Sequence, residues 1–180
     1  MVDVSGFLKG LSYRGQTEHH INCHLQDIPS NGADTLHFKY VHTYIIPQLT
    51  SLYFKWQSRW TTGDKEDVKS FFEHEKKDIH DFKQKIWREI VEPYPNKEIL
   101  SIGNLENWIH IPVFGQWYMF SATIIQVGLG IVFIILKSPL YELVFHHYIR
   151  PQGINKQAVF HDCYISPIVP LFASSKVIEL

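Results

Sequence analysis

Residues 114–136 read FGQWYMFSATIIQVGLGIVFIIL and form the core of thirty consecutive positions, 107–136, that lack Asp, Glu, Lys and Arg. Twelve of these 23 residues are Ile, Leu, Val or Phe. As a helix rising about 1.5 Å per residue the segment would be about 34 Å long, enough to cross a hydrocarbon core of about 30 Å with modest tilt. Its apolar side chains contribute about −4 to −7 kcal/mol on the insertion scale, opposed by Gln116, Gln126 and the glycines. Trp108, Trp117 and Tyr118 at one end, with Lys137 and Tyr141 at the other, read as membrane-interface anchors. The β-branched content also suits two strands of a soluble core. The length without charge, and the lack of a turn dipeptide, favour one transmembrane helix. Ala122, Gln126 and Gly130 would then share one helical face and form a helix-packing interface.

Outward from this span, the sequence predicts a mainly α protein in four parts. Residues 1–36 are irregular, with the turn signal Pro29-Ser30-Asn31-Gly32. Residues 37–106 form an amphipathic helical hairpin. Its first helix carries Phe38, Val41, Ile45, Leu49, Leu52, Trp56 and Trp60; its second, over 64–91, carries Val68, Phe71, Phe72, Ile79, Phe82, Ile86 and Ile90. Asp64 is the expected N-cap, and Pro93 ends the pattern. Residues 107–137 are the transmembrane helix and its entrance. Residues 138–180 supply a short interfacial helix over 140–149, with Ser138-Pro139 as its cap, and an extended tail.

Composition excludes several classes. Seventeen Lys and Arg against eighteen Asp and Glu leave a net charge of −1, which lacks the basic excess of a nucleic-acid binder. Hydrophobic residues at 45% and aromatic residues at 14% exclude a disordered chain. Two cysteines cannot build the framework of a disulfide-rich domain.

Eleven histidines invite a metal or haem reading. The densest group is His19, His20, Cys23 and His24, with His161, Asp162 and Cys163 far away in sequence. One span would place these groups on opposite sides of a bilayer, where they could share neither an ion nor a disulfide. His110, paired with His146 or His147, is a haem alternative that would need a partner's helices. No GxGxxG, P-loop, HExxH or CxxC occurs. No catalytic residue, cofactor or metal is therefore assigned.

A soluble helical segment, one aromatic-flanked span and an irregular apolar tail resemble the layout of single-span supernumerary subunits of mitochondrial inner-membrane complexes. That resemblance implies a non-catalytic structural subunit of a respiratory-chain or ATP synthase complex, with its N-terminal side in the matrix. Its expected partners are other membrane subunits and the lipid bilayer, with no nucleic acid and no small-molecule substrate. A membrane-anchored haem or metal protein, or a single-pass adaptor of another membrane, is the alternative.

Overall fold

The computed structural model describes residues 8–25, 27, 52–62 and 99–170, together with positions 66–67, 70–71, 84–85, 88 and 92. The described part is one antiparallel sheet of seven strands: β1 (Ser12–Ile21), β2 (Tyr53–Thr62), β3 (Ile99–Ile111), β4 (Gly115–Val127), β5 (Ile131–Lys137), β6 (Glu142–Gly153) and β7 (Lys156–Ile165). Their order is β1-β7-β6-β5-β4-β3-β2. β3 to β7 are a meander of consecutive hairpins, and β1 and β2 close its two sides.

This overturns the mainly α expectation. The supposed transmembrane helix is a hairpin tip, strand β4, a turn and strand β5, paired from Ser121↔Lys137 to Val127↔Ile131. No helix among the described residues is long and apolar enough to cross a membrane. Gly128-Leu129-Gly130 makes the turn, with Gly128 at φ +56°, a left-handed value that glycine adopts without Cβ strain. Thr123, Ile124, Ile125 and Val127 before it, and Ile131, Val132, Ile134 and Ile135 after it, are β-branched residues whose stiff side chains pack well on a pleated surface.

The other helical expectations fail for a related reason. Trp56 and Trp60 are four apart, a spacing that shares a face on a helix and equally on a strand. They lie on β2, so the predicted first helix is strand from Tyr53 onward; residues 37–51 lie outside the described part. Leu140, Val144 and Tyr148 repeat every four residues too, yet Glu142–Gly153 is β6. Ser138 Oγ does accept the N–H groups of Leu140 (3.1 Å) and Tyr141 (3.3 Å), but the cap closes the β5–β6 turn instead of starting a helix. The irregular N-terminal part contains β1, and the tail contains β7. Within 64–91, the described positions Glu66, Asp67, Ser70, Phe71, Gln84 and Lys85 have helical backbone, and most of the rest lies outside the description.

Successive side chains of a strand point to opposite faces, so the sheet carries two packed surfaces. One face holds Ile102, Ile125, Phe133, Ile135 and Val144, each at most 1% exposed, with Phe71 packed against them. We call it the Phe133 face. The other, the Cys163 face, holds Leu143, Cys163 and Ile165, with Leu136, Tyr141, Phe145 and Val169 against them. A sheet buried on both faces reads as an uninterrupted apolar run, which a window-based reading cannot tell from a buried helix.

Candidate functional site

Polar side chains gather at two places on the Phe133 face, one on each side of its apolar floor. On the β1 side, Gln16 Nε2 donates to both Tyr148 Oη and Asp162 Oδ1, each at 2.8 Å. His146 Nδ1 lies 3.7 Å from Asp162 Oδ2. The His146 ring stacks on Phe133, with centroids 4.8 Å apart and an interplanar angle of 8°. The register makes this arrangement: His146 pairs with Asp162 across β6–β7 and with Phe133 across β5–β6, while Gln16 pairs with Asp162 across β1–β7. Burial lowers the His146 pKa and the Asp162 charge opposes that shift, with a net downward result. The imidazole is therefore neutral at pH 7, and its buried Nε2 has no hydrogen-bond partner.

On the β2 side, Gln57, Ser58, Arg59, Asn104 and Glu106 line a cleft of about 270 Å³. Asn104 is 6% exposed, and its Oδ1 has no donor. Its Nδ2 reaches Glu106 Oε1 at 3.5 Å, a weak contact. Arg59 lies over the Phe71 ring, 4.5 Å from the centroid, and donates to the Phe71 carbonyl at 2.6 Å. The cleft thus offers donors and an unsatisfied acceptor. Its volume lies just under the usual ~300–1,000 Å³ of small-molecule pockets, so it has room for the polar end of a ligand.

A third group lies on the Cys163 face, where the His147 and His161 rings are 4.1 Å apart and His19 and His161 are 5.2 Å apart. The two histidine groups that a bilayer would have separated are neighbours, because β1 pairs with β7. They still form no metal site. Among the described residues, no group of three or more His, Cys, Asp and Glu is placed to hold an ion. His110 stacks on Tyr53 at the far end of β3 and is three strands away from His146, so the two do not share a ligand. Cys23 and Cys163 are both free. Cys163 pairs with Gly15, whereas the carbonyl of Cys23 accepts from Gln157, six residues further along the same ladder.

The residues singled out as helix-packing positions fall elsewhere. Ala122 is 4% exposed on β4 and pairs with Leu105 and Leu136. Gln126 accepts from Ser101 Oγ at 3.2 Å and donates to the Gly128 carbonyl. Gly130 lies in the turn, where its carbonyl accepts the Ile149 N–H at 2.8 Å. Of the anchor residues, Trp108 and Tyr118 meet edge to face at 6.0 Å, Trp117 is exposed, Lys137 lies 3.8 Å from Glu142, and Tyr141 packs into the Cys163 face.

No family model matches the chain. Curated relatives do. The cholesterol 7-desaturase nvd of Xenopus laevis is 31% identical over 164 residues, which is 88% of this chain and 31% of that protein. Cholesterol 7-desaturase nvd 1 of Ciona intestinalis is 25% identical over 171 residues, 94% of this chain and 32% of that protein. The Drosophila melanogaster cholesterol 7-desaturase nvd is 26% identical over 168 residues, 89% of this chain and 34% of that protein. The chain is similar to cholesterol 7-desaturases. It spans about a third of the length of these relatives. The expectation of a non-catalytic respiratory-chain or ATP synthase subunit is overturned, since cholesterol 7-desaturases are enzymes. The membrane-subunit description loses its basis with the helix on which it was built.

Two signals for this outcome were present in the sequence. The Gly-Leu-Gly at 128–130 divides the apolar run, and Asp34, His37 and His42 place a carboxylate and two imidazoles within nine residues. The second group lies outside the described residues.

Proposed function

We propose that this chain forms part of an oxidoreductase that introduces a double bond into the ring system of cholesterol or a closely related sterol. The observation that carries this reading is similarity to cholesterol 7-desaturases along 88–94% of the chain. The cleft is compatible with it in one respect: Arg59, Asn104 and Glu106 offer the polar partners that a single hydroxyl needs.

Desaturation removes two hydrogen atoms, that is two protons and two electrons, from adjacent carbons, and protein side chains do not supply an oxidant for that. Asp34, His37 and His42 are of the donor types found in open ferrous sites of oxygenases, and iron held there would let dioxygen serve as the oxidant that takes up the two protons and two electrons. On this reading, replacing His37 and His42 with Ala lowers iron content along with activity.

The experiment is a chimera. This chain replaces the matching third of the Xenopus laevis relative, and cells are fed cholesterol. A sterol two mass units lighter is expected by mass spectrometry. A chimera that accumulates but yields no such sterol overturns the reading.

A further inference from the structure

The end of the β3–β4 hairpin stands clear of the sheet. Gln116, Trp117, Tyr118 and Met119 alternate between its two faces, yet all four are exposed, whereas β4 is buried from Ser121 to Ile125. Both faces are thus open to a large extent, although Tyr118 meets Trp108 edge to face. Val113 is 99% exposed at the tip, Phe114 70% and Trp117 57%. Two donors of the tip are bonded within it: the Phe114 N–H donates to the Ile111 carbonyl at 3.1 Å, and Trp117 Nε1 donates to the Phe114 carbonyl at 3.1 Å. Two other connections at this end of the sheet, 138–141 and 166–170, also lack charged residues and expose Leu140 and Ile168. Single exposed apolar side chains are ordinary on a protein surface, but Val113, Phe114 and Trp117 cluster within five residues of an uncharged tip, and such a cluster marks a contact.

We propose that the β3–β4 tip is a membrane-interface anchor, which places Val113, Phe114 and Trp117 at the headgroup–acyl boundary of a bilayer. Aromatic rings are favoured at that depth, and an interfacial element buries its apolar side about 5–10 Å into the boundary. A projecting hairpin end matches that depth without moving the packed sheet. Three side chains at a hairpin end are a small patch beside the ~800 Å² that each partner contributes to a standard protein–protein interface. The Phe114 N–H and the Trp117 indole N–H are already bonded within the tip, so these two donors are not stranded on entering the boundary. The choice of a lipid surface also rests on the sterol reading, because cholesterol is drawn from membranes. The anchor would hold the protein where that substrate partitions.

The test is sedimentation of the chain with phosphatidylcholine vesicles, with and without cholesterol, read together with tryptophan quenching by brominated lipid. The parent chain should bind and be quenched. Phe114→Ser and Trp117→Ser should each weaken binding about tenfold. Ile154→Ser, at an exposed apolar position in the β6–β7 turn at the opposite end, should change nothing. Circular dichroism and thermal midpoints confirm that the variants fold. A parent chain that does not bind vesicles, or tip variants that bind as the parent does, overturn the anchor. Concentration-dependent self-association abolished by Trp117→Ser, without vesicle binding, would assign the tip to a protein contact and also overturn it. If the chimera makes no sterol product while vesicle binding and its loss persist, the sterol reading falls and the anchor stands.

Discussion

The His147 and His161 rings lie 4.1 Å apart at directly paired positions of β6 and β7. Neither can be charged at low cost. Burial pushes the His147 pKa down to about 3, and the charges of His161 and His146 add to the shift. Burial lowers His161 too, with His19 contributing.

Both histidines have folded pKa values below the ordinary 6.5, so the unfolded chain binds more protons as pH falls. The associated stability is complete above about pH 6.5 and is lost progressively down to about pH 3. At pH 5, His147 alone should account for about 2 kcal/mol of lost stability relative to pH 7.5. Urea midpoints at the two pH values measure the loss, and His147→Phe should flatten it.

Gly128→Ala separates the observed turn from a helix. At φ +56° an added Cβ meets nothing within 4 Å but forces a left-handed backbone on alanine. Destabilisation by about 1–2 kcal/mol is expected. In a helix the same change would stabilise by about 1 kcal/mol. The sign of the shift in urea midpoint is the measurement.

Gly103→Ala should displace Trp60. The Trp60 ring lies across the backbone of Gly103 so closely that a Cβ there would overlap it. The two residues are paired across β2–β3, so the edge strand must move or the indole must swing out. A loss of about 1–3 kcal/mol and red-shifted tryptophan emission are expected.

Asp162→Ala removes the acceptor that Gln16 uses to tie β1 to β7. About 2 kcal/mol should be lost, with amide exchange in β1 accelerating before that in β5. The His146 pKa should fall further, because the Asp162 charge is the influence that raises it. A proton NMR titration of His146 reads that shift.

Part of the site was visible before the fold was known. The segments 19–24 and 161–163 carry His, Asp and Cys side chains that the sequence shows, but their contact depends on β1 adding to β7 across about 140 residues of sequence, which no local spacing reveals. The Asn104 cleft carried no signal at all. It exists because β2 places Arg59 opposite Asn104, and residues 52–60 had been assigned to a helix. Ser138, expected to cap a helix over 140–149, closes the β5–β6 turn instead, because an Oγ that accepts N–H groups two and three residues on serves a turn as well as a helix start.

The amino-acid sequence by itself determined that residues 107–136 would leave water, because thirty uncharged and largely apolar positions are costly to solvate. It also holds the residue that lets the chain turn, since Gly128 tolerates a left-handed backbone that its β-branched neighbours do not. Only the tertiary structure decided what the apolar run is buried against. A strand has no partner within itself, and its hydrogen bonds go to residues that pairing, not proximity in sequence, brings alongside. That pairing made Ile125 and Ile135 the interior of a sheet and left Phe114 and Trp117 outside it.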